Sequence, residues 1–479
     1  MSTTLLRGAR VAPGEAPTVL EVTGDRIGGD GSAASVAVDI GGRLMLPGLW
    51  DAHVHLDQWA LSRAALDLAA ATSAAHAVRL IAEYLPLADT DVVVAHGFRD
   101  GLWPDSPTAA LLDTATADRP VVALSGDLHS GWFNTAALRR FSLAPHPSGL
   151  LTETEFMPIM NDVQRVDAAV LDRRVEEAVR AAAARGVVGV TDFEIADNRT
   201  VWARRIAAGT DLLRVRCGIW PRWLEQAIAD GVGTGDPVPD TGGLATVGPM
   251  KVIVDGSLGT RTAYCHQPYP GGGHGVLSVP PQELVGLMSR ATGHGLECAI
   301  HAIGDQACEH VLDAFADTGA RGSVEHAQLV AEKDFRRFAE LGVIASVQPA
   351  HVHDDADLAE RYWPGRTGRA FPYGTLLAAG VRLALGSDAP VAPLDPWLTL
   401  AAAVDRTLPD GRVWHREHEI PWEVALAAST GGRTRVRTGD LADLVVLDTD
   451  EVPTTGAALA SMPVWGTMVG GRWTYGPPA

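Results

Sequence analysis

Short apolar runs alternate with Ala-rich stretches along most of the chain. An apolar run bounded by glycine or polar residues is typical of a buried strand, and the Ala-rich stretches are typical of helices. This alternation predicts βα units and a parallel sheet. The candidate strands are the run that precedes His53 and residues 187–191, 214–219, 250–254, 297–301, 323–326, 343–347 and 382–386. They are eight in number, and eight βα units predict an α/β protein built on a (β/α)8 TIM barrel.

Two further apolar runs, residues 91–95 and 120–124, do not fit this count. We interpret residues 60–180, which contain both runs, as an insertion after strand 1. The chemistry of a (β/α)8 barrel lies at the C-terminal ends of its strands. An insertion at that end is placed to form a lid or a substrate pocket.

Both ends of the chain contain short β-like runs separated by Gly-rich turns. Residues 18–22 and 36–38 are such runs near the start, and residues 444–447 and 467–469 are such runs near the end. We expect the two termini to form one small β-sandwich domain. The predicted division is 1–46 and 430–479 for this domain and 47–429 for the barrel domain, insertion included.

Composition and charge disfavour several classes of function. Of the 479 residues, 46% are hydrophobic and 20% are charged, which is ordinary for a soluble enzyme. The net charge of -19 disfavours nucleic acid and anionic membranes as partners, and no apolar stretch is long enough for a membrane helix. Four cysteines without a C-x-x-C spacing, and a start without an apolar leader, predict a reduced, cytoplasmic protein. We expect a small-molecule substrate, and the acidic surface is compatible with a homodimer.

The sequence DAHVH at residues 51–55 is the first sign of chemistry. His53 and His55 are two positions apart, so on a strand both imidazoles point to the same face and can bind one metal ion. The apolar run before them ends at Pro47 and Gly48, which predicts that the pair lies where a buried strand opens toward a loop. Buried structural histidines can have the same spacing, so other residues must decide.

Four further residues that could take part in a metal site follow later in the chain, each in or just after an apolar run: Lys251, His301, His326 and Asp388. The set resembles the amidohydrolase superfamily of metal-dependent hydrolases, and within it the YtcJ-like, amidohydrolase-3 group. The resemblance covers essentially the whole chain. The matching segments are residues 47–55, 127–134, 251–263, 301–305, 325–328, 386–388 and 439–448.

The resemblance implies a centre with one or two divalent ions, and zinc is expected first because imidazole and carboxylate suit it. The implied ligands are His53, His55 and Asp388 for one ion, His301 and His326 for the other, and Lys251, carboxylated by CO₂, as the bridge between them. A carbamate is an anionic oxygen ligand, whereas an ammonium group has no lone pair.

Catalysis in such a centre would depend on Asp388, as general base and then general acid, with His326 beside it in the catalytic set. Three alternatives stay open. In the first, Lys251 pairs with an acid such as Asp255 and the site holds one metal ion. In the second, Glu194, just past the second strand, replaces Lys251 as a ligand or forms hydrogen bonds around the site. In the third, Asp388 caps the following helix.

Five residues are candidates for substrate contacts: Trp103, Asp127, His129, Asn134 and Arg261. Asp and Asn are also common turn and cap residues and Trp commonly packs, so structural roles stay open for them. The remaining histidine pairs are interpreted as peripheral. We expect substrate or loop contacts for His351 and His353, beyond Pro349, and a solvated loop for His415 and His418.

The predicted activity is hydrolysis of a C–N amide-type bond in an N-acyl or N-formyl amine, since the resembled group includes deformylase-like members. A deaminase is the main alternative. Deamination in this superfamily commonly uses a glutamate three residues after the histidine of strand five, whereas this chain has Gly304 and then Asp305. Ester or lactone hydrolysis and a non-catalytic barrel scaffold are further alternatives.

Overall fold

The computed structural model of the protein describes residues 3–28, 36–88, 90–153 and 155–476. Its largest sheet has eight parallel strands, each hydrogen-bonded to the next one in the chain. A bridge between Val54 and Ala389 joins the two ends of this sheet into a barrel. The strands are Leu49–Val54, Val187–Asp192, Arg214–Ile219, Ala245–Ile253, Cys298–Ala302, Gly322–His326, Ile344–Val347 and Leu383–Leu385. The predicted (β/α)8 TIM barrel is confirmed.

The first barrel strand is not the run that was predicted. That run contributes Met45–Pro47 to a terminal sheet, and the barrel strand starts at Leu49 and contains His53 itself. Both segments are largely buried, so hydrophobicity alone does not separate them. Gly48 joins them where a Cβ would lie 2.2 Å from the Val188 side chain, so the close approach requires glycine.

The barrel strands appear in the sequence as apolar runs because both of their faces are covered; all six residues of Val187–Asp192 are buried. Some of the helices start at a side chain that accepts a backbone N–H, as Asp167 does for Ala168–Ala183. None of the helices in the described ranges is long and apolar enough to cross a bilayer. They are Leu56–Ser62, Ala74–Tyr84, Ala109–Thr116, Thr135–Arg140, Met157–Val163, Ala168–Ala183, Asn198–Ala207, Pro221–Ala229, Pro281–Thr292, Asp305–Thr318, Phe335–Glu340, Val352–Tyr362, Tyr373–Ala378, Pro396–Val404, Trp422–Ala428 and Gly456–Ala460.

The insertion forms a sheet of its own between the first and second barrel strands. The two extra apolar runs become Val93–Phe98 and Val121–Ser125, which pair in parallel with each other. The five strands are, in sheet order, Leu150–Thr152, Ser130–Phe133, Val121–Ser125, Val93–Phe98 and Leu66–Asp67. Leu112 and Trp132 pack in a hydrophobic core that belongs to this layer. The predicted insertion after strand 1 is therefore confirmed.

The two termini form the predicted small β domain from two four-stranded sheets. One sheet contains Arg26–Ile27, Thr18–Thr23, Thr3–Ala9 and Val36–Asp39, and the other contains Arg472–Tyr475, Val464–Val469, Leu444–Leu447 and Met45–Pro47. Leu6 and Val38 of the first sheet share one hydrophobic core with Leu444 and Met468 of the second. The exact domain boundaries stay a proposal.

Candidate active site

The six predicted metal-site residues converge at the C-terminal end of the barrel. They are His53 in the first strand, His55 just after it, Lys251, His301 and His326 in the fourth, fifth and sixth strands, and Asp388 after the eighth. All six line one cleft of about 500 Å³. Parallel strands of a closed barrel end on the same face, which is why residues far apart in the sequence meet there.

Asp388 lies at the centre of the cluster, and its two carboxylate oxygens face different histidines. Oδ1 is 3.5 Å from Nε2 of His53 and 3.6 Å from Nε2 of His55. Oδ2 is 3.9 Å from Nδ1 of His326 and 4.0 Å from Nε2 of His351. Among the described residues, these are the two groups whose candidate ligand atoms lie within 4.8 Å of one another.

Asp388 does not cap a helix, so that alternative is wrong. The next helix, Pro396–Val404, starts after Asp395, whose side chain accepts the backbone N–H of Trp397. Burial raises the pKa of the Asp388 carboxyl above its ordinary value, and the positive charge of Lys251 opposes this shift. The carboxyl group can therefore take up a proton more readily than an exposed one.

The histidines of the cluster are neutral near pH 7. Burial, helped by the charge of Lys251, lowers the pKa of His53 and His326 well below the ordinary value and that of His55 to about 3. A neutral imidazole keeps a nitrogen lone pair for a metal ion. Three ring nitrogens of this cluster are buried and have no hydrogen-bond partner among the described residues: Nδ1 of His55, Nε2 of His301 and Nδ1 of His326. Unpartnered buried nitrogen atoms beside a carboxylate fit a divalent cation.

Glu325 fixes the orientation of His53. Oε2 of Glu325 lies 2.6 Å from Nδ1 of His53, and both side chains are almost fully buried. Since the Nδ1–H donates to this carboxylate, the lone pair of Nε2 faces Asp388 and Lys251. The other oxygen of Glu325 accepts a hydrogen bond from the hydroxyl of Ser323. A carboxylate behind a histidine is the usual way to orient a metal-binding imidazole.

Lys251 is buried beside His53, with its Nζ 3.3 Å from Nε2 of that histidine and 4.8 Å from the centre of the Phe193 ring. Burial lowers the pKa of Lys251, so the amine gives up its proton more readily than an exposed lysine. The alternative pairing with Asp255 is not found in the described residues. The Asp255 carboxylate accepts backbone N–H groups instead, from Tyr264, Ile303 and Gly304.

His301 lies beside His326, with ring centroids 4.4 Å apart. Its Nε2 is 3.3 Å from Oδ1 of Asp255, without hydrogen-bond geometry to any described residue. Glu194 is not part of the cluster. Its carboxylate accepts hydrogen bonds from the backbone and side chain of Gln58. This arrangement disfavours Glu194 as a replacement for Lys251.

The insertion places a charged network on the other side of the cleft. Nδ1 of His129 lies 3.0 and 3.1 Å from the two carboxylate oxygens of Glu153. Burial lowers the pKa of His129, but the charge and the hydrogen bond of Glu153, together with the charges of Asp127 and Asp388, outweigh burial and raise the pKa to about 9. Asp127 accepts hydrogen bonds from the Ser125 and Ser257 hydroxyls at 2.6 and 2.7 Å, which ties the insertion to the loop after the fourth strand. Asp127 and His129 both line the cleft.

Trp103 and Arg261 line the same cleft. Trp103 is half-buried, and its indole N–H donates to the carbonyl of Ala71 at 3.0 Å. Arg261 is exposed, has a positive φ of 62°, and holds its guanidinium 5.7 Å from the centre of the Tyr362 ring.

Asn134 does not line the cleft of the described structure, so it is withdrawn as a substrate contact. The residue is fully buried and caps the helix Thr135–Arg140 by accepting the N–H of Ala137. Its amide nitrogen donates to the Thr116 hydroxyl and to the Arg119 carbonyl. These bonds leave the side chain occupied inside the insertion, because Asn is a strong N-cap.

Sequence reasoning missed or misjudged three residues. Glu325 stands next to His326 in a matching motif, but only the fold brings it to His53. His351 is only 5% exposed and lies beside the cluster. Its H-x-H spacing with His353 was the sequence signal that could have identified it as a possible metal ligand. His418 is buried rather than solvated and lies 3.2 Å from the carbonyl of Gly368.

Comparison with known proteins agrees with this geometry. Residues 36–475 match the model of the amidohydrolase family. A protein of Bacillus subtilis (strain 168) called amidohydrolase YtcJ is 27% identical over 93% of this chain and 91% of its own length. The N-substituted formamide deformylase of Arthrobacter pascens is 25% identical, over 93% of this chain and 91% of its own length.

The solved structure of an uncharacterized metal-dependent hydrolase from Pyrococcus horikoshii OT3 has the same fold. It aligns with a TM-score of 0.76 at 24% sequence identity, over 95% of this chain and 98% of that chain. The family model spans the barrel, the insertion and all six residues of the cluster. The chain therefore belongs to the amidohydrolase family, in its YtcJ-like group.

Proposed function

We propose that this amidohydrolase-family hydrolase cleaves a C–N amide-type bond, in an N-acyl or N-formyl amine. The observation that carries the proposal is the buried cluster of neutral histidines around Asp388, open to the cleft. The likeness to a protein named as a formamide deformylase supports the choice of bond.

In this proposal His53, His55 and Asp388 hold a divalent ion, zinc being the first expectation, and His301, His326 and carboxylated Lys251 complete the set. When bound, a divalent ion supplies a Lewis acid that polarises the substrate carbonyl and lowers the pKa of water. Asp388 takes the proton from the attacking water on a carboxylate oxygen and then delivers it to the departing nitrogen. An amide needs the second transfer, because an amine anion is a poor leaving group. His326 flanks this carboxylate and completes the catalytic pair.

The substrate is proposed to lie between the barrel cluster and the insertion. A protonated His129 offers an N–H group and a positive charge, which suits a carbonyl oxygen or an anionic substituent. Asp127, Trp103 and Arg261 are the further proposed contacts. All four residues line the cleft, and specificity of barrel enzymes commonly resides in such added segments.

A deaminase is less well supported. The acid that follows the histidine of strand five is Asp305, and its Oδ1 accepts the backbone N–H of His266 at 2.9 Å. Its other oxygen lies 3.3 Å from the guanidinium of Arg369. A carboxylate held in these contacts, outside the lining of the cleft, is poorly placed to transfer protons to a substrate.

The test uses the metal-loaded protein with p-nitroformanilide and p-nitroacetanilide, whose cleavage releases coloured p-nitroaniline. We expect turnover of at least one anilide, and a fall in kcat of about 10²–10⁴-fold in Asp388→Asn. Asp354→Asn, a carboxylate at the rim of the same cleft, is the matched control and keeps kcat. Metal content of each variant is measured beside activity. Absence of anilide turnover together with ammonia release from cytosine or adenine would favour the deaminase.

A further inference from the structure

His351 lies closer to the cluster than its sequence context indicates. It ends the short turn Pro349–His351 after the seventh barrel strand, immediately before the helix Val352–Tyr362. Its ring stacks on that of His326, with centroids 6.4 Å apart and an angle of 21° between the planes. The side chain is buried and lines the cleft.

The Asp388 carboxylate has one oxygen for each of two histidine pairs. Oδ1 faces His53 and His55 at 3.5 and 3.6 Å, and Oδ2 faces His326 and His351 at 3.9 and 4.0 Å. The second group is buried at all three residues. Nδ1 of His326, the atom that faces Oδ2, has no hydrogen-bond partner among the described residues.

We propose that His326, His351 and Asp388 form a second cation position, and that Asp388 is shared between it and the position at His53 and His55. Two imidazoles and one carboxylate suit zinc or another first-row divalent metal. This inference rests on the proposed metal centre and adds His351 to its ligand set, a residue for which the sequence predicted only substrate or loop contacts. Nε2 of His301 faces Asp255 at 3.3 Å, so this carboxylate can orient His301 as Glu325 orients His53.

One contact of His351 competes with this assignment. Its Nε2 lies 3.3 Å from the carbonyl oxygen of Ser387, to which a protonated Nε2 could donate. A neutral imidazole carries one proton, on either of its two nitrogens. A cation at Nε2 requires that proton to sit on Nδ1, so the two arrangements exclude each other.

The experiment measures metal stoichiometry in the full-length protein. The protein is stripped with a chelator, loaded with Zn²⁺ or Co²⁺, desalted and measured by inductively coupled plasma mass spectrometry, with the Co²⁺ absorption spectrum recorded in parallel. We expect the wild type to hold about two equivalents, and His351→Ala and His351→Gln to hold about one or to bind the second with an affinity about 10–100-fold lower. His353→Ala, a half-buried histidine in the same segment and outside both groups, is the matched control and keeps both equivalents.

The inference is overturned if the wild type holds one equivalent, or if the His351 variants hold both with unchanged affinity. It is also overturned if His301→Ala loses an equivalent while the His351 variants do not. Should both variants fail to fold, an anomalous difference map of the Co²⁺-loaded wild type decides, through the presence or absence of a peak about 2.1 Å from Nε2 of His351. Stoichiometry requires no substrate, so failure of anilide cleavage leaves this result readable, and the reverse also holds.

Discussion

Buried histidines face each other across the cleft, and they are neutral on the barrel side but protonated on the insertion side. On the barrel side, burial lowers the pKa of His55 to about 3 and that of His326 well below its ordinary value. On the insertion side, His129 is also buried, yet its pKa is raised to about 9. The rings of His129 and His301 are only 6.3 Å apart between centroids.

Burial is common to both sides, so the neighbouring charge makes the difference. His129 contacts the Glu153 carboxylate, whereas Lys251 and other imidazoles help to lower the pKa of His55 and His326. A neutral imidazole offers a lone pair to a metal ion, and a protonated one offers only N–H groups. The barrel side is therefore suited to bind a cation, and the insertion side to donate hydrogen bonds to a substrate.

The largest expected effect concerns Glu325, the carboxylate that orients His53 on the barrel side. Glu325→Gln replaces the charged partner of Nδ1 of His53 by a neutral amide. We expect the affinity for the metal at His53, His55 and Asp388 to fall about 10–100-fold, with activity restored by excess metal. Competition against a chromogenic chelator measures the affinity. Glu297→Gln, a half-buried carboxylate outside the cluster, is the control, and equal affinity in wild type and Glu325→Gln would show that the contact does not position His53.

The second effect concerns the insertion side and has a defined pH window. The pKa of His129 is about 9, above its ordinary 6.5. The stabilisation of the folded protein by the ion pair is therefore fully present below about pH 6.5 and is lost as pH rises through about 9. The pKa of Glu153 is about 2, below its ordinary 4.5. Its contribution to the stability of the folded protein is therefore present above about pH 4.5 and is lost as pH falls through about 2.

Glu153→Gln should therefore lower the free energy of unfolding by about 2 kcal/mol between pH 4.5 and 6.5, and the difference from wild type should shrink as the pH approaches 9. Urea unfolding at several pH values measures it. Glu155→Gln, an exposed neighbour, gives the background. A pH-independent difference would mean that the pair does not titrate as described.

The smallest expected effect on catalysis concerns Asn134, which lies in the insertion but not in the cleft. Asn134→Ala removes a helix cap and should lower the free energy of unfolding by about 1–2 kcal/mol, while kcat and KM stay within about twofold of wild type. Urea unfolding and steady-state kinetics on the same preparation test it. A raised KM at unchanged stability would return Asn134 to the substrate contacts.

Most of the fold was predictable because its signals are local. The barrel strands are largely apolar runs of three to nine residues, and the two extra runs near 91–95 and 120–124 could be assigned to an insertion by counting strands. The first strand could not be placed correctly. Met45–Pro47 and Leu49–Val54 are adjacent and both largely buried, and the choice between the terminal sheet and the barrel depends on partners distant in the chain.

The convergence of the six cluster residues was predictable for a similar reason. A residue at the end of any strand in a closed parallel barrel reaches the same face, so order along the chain is enough. The places of Glu325, His351 and Asn134 were not predictable in this way. The contact between Glu325 and His53 joins residues 272 positions apart, and no local pattern encodes such a distance.

By itself, the sequence determined the barrel, the inserted layer and the set of residues that gathers around Asp388, because strand periodicity and chain order carry that information. Only the tertiary structure decided which histidines are neutral and which one is protonated, which carboxylate orients His53, and that His351 faces Asp388. The physical reason is that pKa values and hydrogen-bond partners depend on burial and on charges within a few ångströms. Those neighbours come from distant parts of the chain.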